Sequence, residues 1–105
     1  MQIQINTDSS VKAPEKLVTY VTDVVQSALG RFSDRITRVE VHLRDENSHK
    51  SGQDDKRCMM EARLEGRQPI AVTNHSATLE QAADGAALKL RHSIERTLDR
   101  LRDHR

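Results

Sequence analysis

Cysteine and aromatic residues are scarce in this sequence. Among its 105 residues, Cys58 is the single cysteine, and Tyr20 and Phe32 are the aromatic side chains. One cysteine excludes a disulfide within the chain and a zinc site built from cysteines, and it fits a reducing compartment. So few rings leave the core to Val, Ile, Leu, Ala and Met. They also disfavour a surface that reads single-stranded bases by stacking.

The sequence also lacks long apolar runs. No stretch approaches the roughly 20 apolar residues of a transmembrane helix, and the N-terminal Met-Gln-Ile-Gln-Ile has no signal-peptide pattern. We therefore expect a cytoplasmic protein without a membrane partner. The length and the lack of linker-like composition predict one domain, residues 1–105, with a single core.

Motifs for metal binding and catalysis are missing as well. The five histidines show no His-x-x-x-His spacing, and the acidic residues between 45 and 55 do not follow the EF-hand pattern. There is no Gly-x-Ser-x-Gly, no phosphate-binding loop and no Gly-x-Gly-x-x-Gly. We therefore expect no enzyme activity, metal, cofactor or small-molecule substrate. Cys58 is expected on the inward side of a strand, with an unactivated thiol.

Apolar periodicity predicts two helices and four strands. In residues 78–102 apolar side chains recur at helical spacing, and Thr78 and Gln81 have the spacing of a capping box. A shorter pattern that begins near Pro14 and stops at Gly30 predicts the first helix. Alternating patterns predict strands, which cover residues 1–6, 36–44, 57–65 and 70–74. A long polar connection at 45–55 lies between the second and third of them.

The predicted element order is β-α-β-β-β-α, an α+β fold. A helix between the first two strands permits a parallel pair, and the next two connections favour an antiparallel meander. We therefore predict a two-layer sandwich in which a four-stranded sheet carries both helices on one face. The other face is expected to be open and to mix arginine, histidine and glutamate side chains.

Basic residues are concentrated near the C-terminus. The whole chain has 17 basic and 16 acidic residues, so its total charge does not indicate nucleic-acid binding. Residues 89–105, however, contain six lysines and arginines and three acids. One outer side of the predicted last helix carries a stripe of basic side chains, which are Lys89, His92, Arg96 and Arg100. Such a stripe can hold the phosphates of structured RNA, although many solvated helices have the same charge.

The outer sides of the two helices also contain uncharged positions. In the first helix these are Thr19, Thr22, Gln26 and Ser27. In the last helix the helical spacing places Leu88 away from the core. This pattern leaves open two interpretations, a contact surface or a single exposed leucine of the kind that most proteins have.

Several segments, taken together, match the pattern of a known family. They are Met-Gln-Ile-Gln-Ile at the start, residues 32–43, Glu61-Ala62-Arg63-Leu64, and residues 84–90. In order and spacing they resemble the ribosome hibernation-promoting factor and ribosome-associated inhibitor A family, also called sigma-54 modulation or S30EA proteins. The likeness covers nearly the whole chain. It implies the same element order, with a fold similar to double-stranded RNA-binding domains.

The resemblance also implies a function. Family members lodge in the small ribosomal subunit, occupy the path of messenger and transfer RNA, and silence translation during stress through basic contacts to ribosomal RNA. Lys89 and Arg96 match basic positions of the family. We add candidate RNA-binding residues from the stripe and the sheet, which are His92, Arg100, Arg35, Arg38, Arg44, Lys56, Arg57 and Arg63. Compared with the long family members, we expect no additional C-terminal dimerising domain and therefore no pairing of ribosomes by that route. We also expect a monomer off the ribosome.

A protein-interaction or regulatory adaptor on the same fold is the alternative interpretation. His92 and Ser93 stand where the family has an arginine and a glutamine, and residues 6–10 replace a glycine and paired histidines. The nearly neutral total charge favours the same alternative. Salt dependence distinguishes the two functions, since binding to phosphates weakens steeply as salt rises.

Overall fold

Two helices and four strands follow one another along the chain in the predicted order. The computed structural model describes residues 1–46 and 55–103. Its elements are β1 (Gln2–Thr7), α1 (Glu15–Leu29), a short 3-10 helix (Gly30–Phe32), β2 (Ile36–Asp45), β3 (Lys56–Leu64), β4 (Ile70–Ser76) and α2 (Leu79–Asp103). Most of the predicted polar connection, residues 47–54, lies outside the described residues.

The strands form one mixed sheet in the order β1-β2-β3-β4. β1 runs parallel to β2, with Ile3 opposite Val39. The other two pairs are antiparallel, with Val41 opposite Met60 and Met60 opposite Val72. Because α1 connects the parallel pair, this topology is the predicted one.

Alternation along the strands puts the apolar side chains on one face of the sheet. Val39, Val41, Cys58, Met60 and Ala62 are fully buried there. Both helices cover this face with apolar side chains, which are Leu17, Val21, Val25 and Leu29 of α1 and Ala82, Ala83, Ala86, Ala87, Leu90 and Ile94 of α2. The α+β sandwich with both helices on one face is therefore confirmed, while the likeness to double-stranded RNA-binding domains stays a prediction.

The first helix ends where the sequence predicts, with Gly30 as the residue that follows its last position, Leu29. Gly30 has a right-handed φ of −55°, not the left-handed conformation with which glycine commonly ends a helix. The chain therefore continues into the 3-10 turn, which buries Phe32. A left-handed glycine is found instead at Gly66, with φ of 72°, in the turn between β3 and β4.

The start of α2 is fixed by a cap and by close contact with β4. Thr78 Oγ1 accepts a hydrogen bond of 3.1 Å from the backbone N–H of Gln81, which confirms this half of the predicted capping box. The side-chain amide of Asn74 in β4 donates to the carbonyl oxygen of Ala82 at 3.3 Å. A β carbon at Gly85 would lie only 2.7 Å from Asn74 Cγ. The helix can approach the strand in this way because residue 85 has no side chain.

The two ends of the polar connection are held together. The backbone N–H of Glu46 donates to the carbonyl oxygen of Asp55 at 3.0 Å. Lys56 Nζ lies 2.8 Å from Asp55 Oδ1 and 3.4 Å from Asp45 Oδ2. The Asp55 side chain is only 8% exposed, so Lys56 supplies a positive charge to a carboxylate with little access to water.

Candidate nucleic-acid interface

Basic side chains follow one side of α2 and form what we call the α2 stripe, which consists of Lys89, His92, Arg96 and Arg100. Steps of three and four residues place these side chains on the same side of a helix. All four residues are exposed, while the intervening Leu90 and Ile94 are fully buried. The guanidinium of Arg96 lies 3.3 Å from the hydroxyl oxygen of Ser93, which is a neutral partner. The stripe is thus a solvent-facing row of basic side chains.

Lys89 connects the α2 stripe to the edge of the sheet. Its Nζ donates a hydrogen bond of 2.9 Å to the carbonyl oxygen of Thr73. Thr73 belongs to β4, an outer strand of the sheet, and it is opposite Met59 in the register. Because its neighbour Val72 packs against the core, the Thr73 side chain points to the open face. The stripe and the open face therefore adjoin each other around the β4 edge.

Two acids in the C-terminal half of α2, Glu95 and Asp99, are paired with cations outside the stripe. Glu95 lies 3.7 Å from Arg31 and 3.8 Å from Arg91. Asp99 lies 2.8 Å from Arg102, one turn along the same helix. Within residues 1–46 and 55–103, no carboxylate lies within 4.0 Å of the charged groups of the α2 stripe. The stripe can therefore offer its positive charge to an external anion without first breaking an ion pair with any described carboxylate.

The arginines at one end of the open face are, by contrast, paired with carboxylates. Arg38 Nη2 lies 3.3 Å from Glu40 Oε2, two residues along β2. From β3, Arg63 Nε lies 3.9 Å from the same oxygen and 3.4 Å from Glu61 Oε1. The charges alternate along each strand, while Arg38 is directly opposite Arg63 and Glu40 is directly opposite Glu61, so Arg63 contacts Glu40 diagonally. This end of the open face is therefore close to electrically neutral.

The other end of the open face mixes basic side chains that have a carboxylate partner with one that has none among the described residues. Arg44 Nε lies 3.6 Å from Asp8 Oδ2, and His75 Nε2 lies 2.6 Å from Glu46 Oε1. Arg57 stands between Arg44 and His75 in the register and is half-buried. Among the described residues, no carboxylate lies within 4.0 Å of its guanidinium. Arg57 is thus the predicted sheet residue whose charge is most available.

Two predicted RNA-binding residues lie away from both surfaces. Lys56 is on the same side of β3 as the buried Cys58, where it pairs with acids at the end of the sheet. Arg35 is exposed in the turn before β2, beside Leu98 and Leu101 near the C-terminal end of α2. The structure therefore brings the α2 stripe together, collects Arg38, Arg44, Arg57 and Arg63 on the open face, and leaves these two apart.

The single thiol is buried and unreactive in the folded chain. Burial raises the pKa of Cys58 to about 12, against a smaller lowering by the charge of Arg57. A thiol in this state is neutral and a poor nucleophile, as its strand position predicted. The part of the chain that the structure describes contains no cluster of His, Cys, Asp and Glu side chains able to hold a metal. None of its helices meets the length and hydrophobicity that a membrane span requires.

Two contacts between distant residues had no signal in the sequence. One is the hydrogen bond of Lys89 to Thr73, which depends on how α2 lies over β4. The other is between the helices, where Tyr20 Oη of α1 donates to Asp84 of α2 at 3.0 Å. This bond raises the pKa of Tyr20, because ionisation would place a phenolate beside the Asp84 carboxylate. Residues so far apart in the chain can be paired only once the packing of the elements is known.

The structure is thus a small α+β sandwich with an exposed basic stripe on its last helix. The family model of the Sigma 54 modulation protein / S30EA ribosomal protein matches residues 3–102, and the chain belongs to this family. The resemblance drawn from its segments is therefore confirmed. No curated protein matches the sequence.

Two solved structures show the same fold. The N-terminal domain of Thermus thermophilus Protein Y superposes with a TM-score of 0.73 at 22% identity, covering 92% of this chain and 99% of that one. A ribosomal subunit interface protein from Coxiella burnetii gives a TM-score of 0.70 at 18% identity, covering 94% of this chain and 99% of the other. Both proteins therefore share the α+β sandwich of this chain. Their names refer to Protein Y and to the ribosomal subunit interface.

Proposed function

We propose that this chain is a non-enzymatic ribosome hibernation factor that binds the small ribosomal subunit through the α2 stripe. One observation carries the proposal. The lysine and arginines of the stripe are exposed without an acidic partner among the described residues, whereas most arginines of the open face are already paired. Membership of the S30EA family supports a ribosomal partner, and so do the names of the two similar structures.

The α2 stripe is suited to the backbone of ribosomal RNA. From Lys89 to Arg100 it extends roughly 16 Å along the helix, at about 1.5 Å per residue, so it can touch several phosphates. Contacts of this kind fix the position of a protein on RNA without reading its sequence. The hydrogen bond to Thr73 holds Lys89 along the β4 edge, which reduces the side-chain entropy that binding would cost. Arg57, on the open face between Arg44 and His75, can add one more contact to a phosphate.

Inhibition then follows from occupation of space. A rigid domain held on the small subunit excludes messenger and transfer RNA from the same volume, and no covalent bond is made or broken. Arg38, Arg44 and Arg63 contribute less, because each would have to leave a carboxylate before it could contact a phosphate. We place this action in the cytoplasm, where the ribosome works.

Cosedimentation with purified small subunits tests the proposal. The variant Lys89→Glu/Arg96→Glu/Arg100→Glu should no longer pellet with the subunits, while its circular dichroism should match the wild type because all three side chains are exposed. The control Lys12→Glu/Lys16→Glu/Arg67→Glu makes the same change in net charge at exposed positions elsewhere and should still pellet.

A competition experiment tests where the chain binds. Subunits preloaded with messenger and initiator transfer RNA should bind less of the wild-type chain than empty subunits. Equal binding to both kinds of subunit would contradict occupation of that path. Retained binding by the stripe variant would move the interface to the open face.

A further inference from the structure

A groove lies between α1 and α2, on the opposite flank of α2 from the β4 edge. It has a volume of about 610 Å³, and Val24, Ala28 and Ala87 contribute apolar lining to it. Tyr20 and Leu88 stand at its walls with exposed fractions of 39% and 48%. Among the described residues they are two of the three large apolar side chains that are exposed. The exposed apolar side chains of the two helices thus lie together at one groove, outside the proposed RNA interface.

The rim of the groove carries carboxylates. Asp23 of α1 and Asp84 of α2 line it, and Glu80 lines an adjoining hollow that shares Tyr20 and Asp23. The hydroxyl of Tyr20 donates to both oxygens of Asp84, at 3.0 and 3.1 Å, and so fixes that carboxylate beside the ring.

Two cations also lie near the groove. Arg91 lines its far end, where its charge is 3.8 Å from Glu95, and Lys16 lines the adjoining hollow. Arg91 is at the far end beside Glu95, and around Tyr20 the three carboxylates outnumber the one lysine, so this end of the groove is an apolar surface with a net negative border.

We propose that this groove binds a basic amphipathic helix of a partner protein. One apolar side chain of the partner lies between Tyr20 and Leu88, and its lysines or arginines lie beside Asp23 and Asp84. A groove between two helices accepts a third amphipathic helix by its apolar side. The complementary charge supplies orientation and speeds association.

Charge disfavours the other occupants of the groove. Nucleic-acid phosphates would meet Asp23 and Asp84 at close range. A second copy of the chain related by twofold symmetry would bring the same carboxylates against each other. The groove and the α2 stripe lie on opposite flanks of α2, so a protein and an RNA can be bound at once. The inference goes beyond the proposed function and does not depend on it.

Fluorescence anisotropy with a designed probe tests the inference. The probe is a labelled helical peptide of lysine and leucine with one apolar side, and its control has every lysine replaced by glutamate. The purified full chain should bind the first peptide and not the second.

Leu88→Ser should weaken binding of the lysine–leucine peptide by at least about fivefold, the loss that marks an interface anchor. Asp23→Asn/Asp84→Asn should weaken binding and flatten its salt dependence, whereas Asp34→Asn, in an exposed turn, should change neither.

Further measurements separate this inference from the proposed function and from other occupants. The variant Lys89→Glu/Arg96→Glu/Arg100→Glu should still bind the lysine–leucine peptide even if it no longer pellets with ribosomal subunits. Equal binding of the two peptides, or unchanged binding by Leu88→Ser with a native circular dichroism spectrum, would overturn the inference. A dimer in sedimentation velocity that Leu88→Ser abolishes would identify a second copy as the occupant and would overturn it too. An RNA oligonucleotide that binds the wild type and binds the Leu88→Ser variant more weakly would also overturn the inference.

Discussion

The ammonium group of Lys89 in α2 lies 2.9 Å from the backbone carbonyl oxygen of Thr73 in β4. This contact ties the first cation of the α2 stripe to an outer strand of the sheet. The carbonyl is neutral, so it orients the lysine without cancelling its charge. The position of α2 over β4 therefore decides where the stripe lies, and the residues that set this position should matter for the proposed RNA binding as well as for stability.

Gly85 is the residue that most directly sets the distance between α2 and β4. Gly85→Ala should lower the free energy of unfolding by about 1–3 kcal/mol, the usual cost of overpacking, because the new β carbon collides with the amide of Asn74. That amide also donates to Ala82, so it cannot move away freely. Thermal and urea denaturation measure the effect.

Gly30→Ala is the matched control for this substitution. Gly30 has a right-handed backbone and open space around its α carbon. Alanine there should be neutral or should stabilise the chain by up to about 1 kcal/mol, because it restricts the unfolded state. Equal losses of stability in the two variants would show that contact with Asn74 is not the cause.

The ion pairs of Lys56 and Arg44 should differ in their contribution to stability. Lys56→Met leaves the Asp55 carboxylate, 8% exposed, without its lysine, and should cost about 1–3 kcal/mol. Arg44→Met removes a pair whose two side chains are 59% and 48% exposed, and should cost below about 1 kcal/mol. Urea denaturation of the two variants tests this order. A larger loss of stability in Arg44→Met than in Lys56→Met would mean that Lys56 is available for another role, such as the RNA contact predicted for it.

Asp8 should make stability depend on pH in the acidic range. Hydrogen bonds from the hydroxyl and backbone N–H of Ser10, and to a smaller extent the charge of Arg44, lower the pKa of Asp8 below its ordinary value of 3.8. A lowered pKa in the folded state means that the ionised form stabilises the fold. This contribution is present above the ordinary pKa and is lost as pH falls through the lowered one.

Asp8→Asn provides the test of this dependence. The difference in unfolding free energy between the wild type and Asp8→Asn should be constant near pH 7, and should shrink in acid below about pH 4. Urea denaturation across this range measures it. A difference that grows in acid would contradict the assigned pKa direction. Asp34→Asn, in an exposed turn, serves as the control.

Most of the fold could be predicted because each element carries its own pattern. In β2 the alternation of Val39, Val41 and Leu43 with polar residues identifies both the strand and its buried side, and burial confirms this side. The spacing of Leu90 and Ile94 does the same for α2. The predicted end of α1 at Gly30 is confirmed, whereas the 3-10 turn that follows and buries Phe32 had no signal in the pattern.

The candidate site could be predicted only where it lies on one element. Helical spacing alone places Lys89 and Arg96 on the same side of α2. Predicting which sheet arginines are paired requires more than the spacing within one strand. Glu40, for example, is shared between Arg38 on its own strand and Arg63 on the next. That sharing depends on the register of β2 and β3, which the sequence does not specify. The types and positions of these arginines could therefore be predicted, but not which of their charges remain available.

The salt dependence of binding to purified small ribosomal subunits is the most direct test of the proposed interface. If the α2 stripe binds phosphates, a plot of log affinity against log salt should fall steeply for the wild type. Each of Lys89→Gln, Arg96→Gln and Arg100→Gln should make the slope shallower by about 0.7–0.9, the contribution of one phosphate contact. Lys12→Gln should leave the slope unchanged. Salt-independent binding, or a slope that none of the three stripe variants alters, would contradict the proposal that this stripe holds ribosomal RNA.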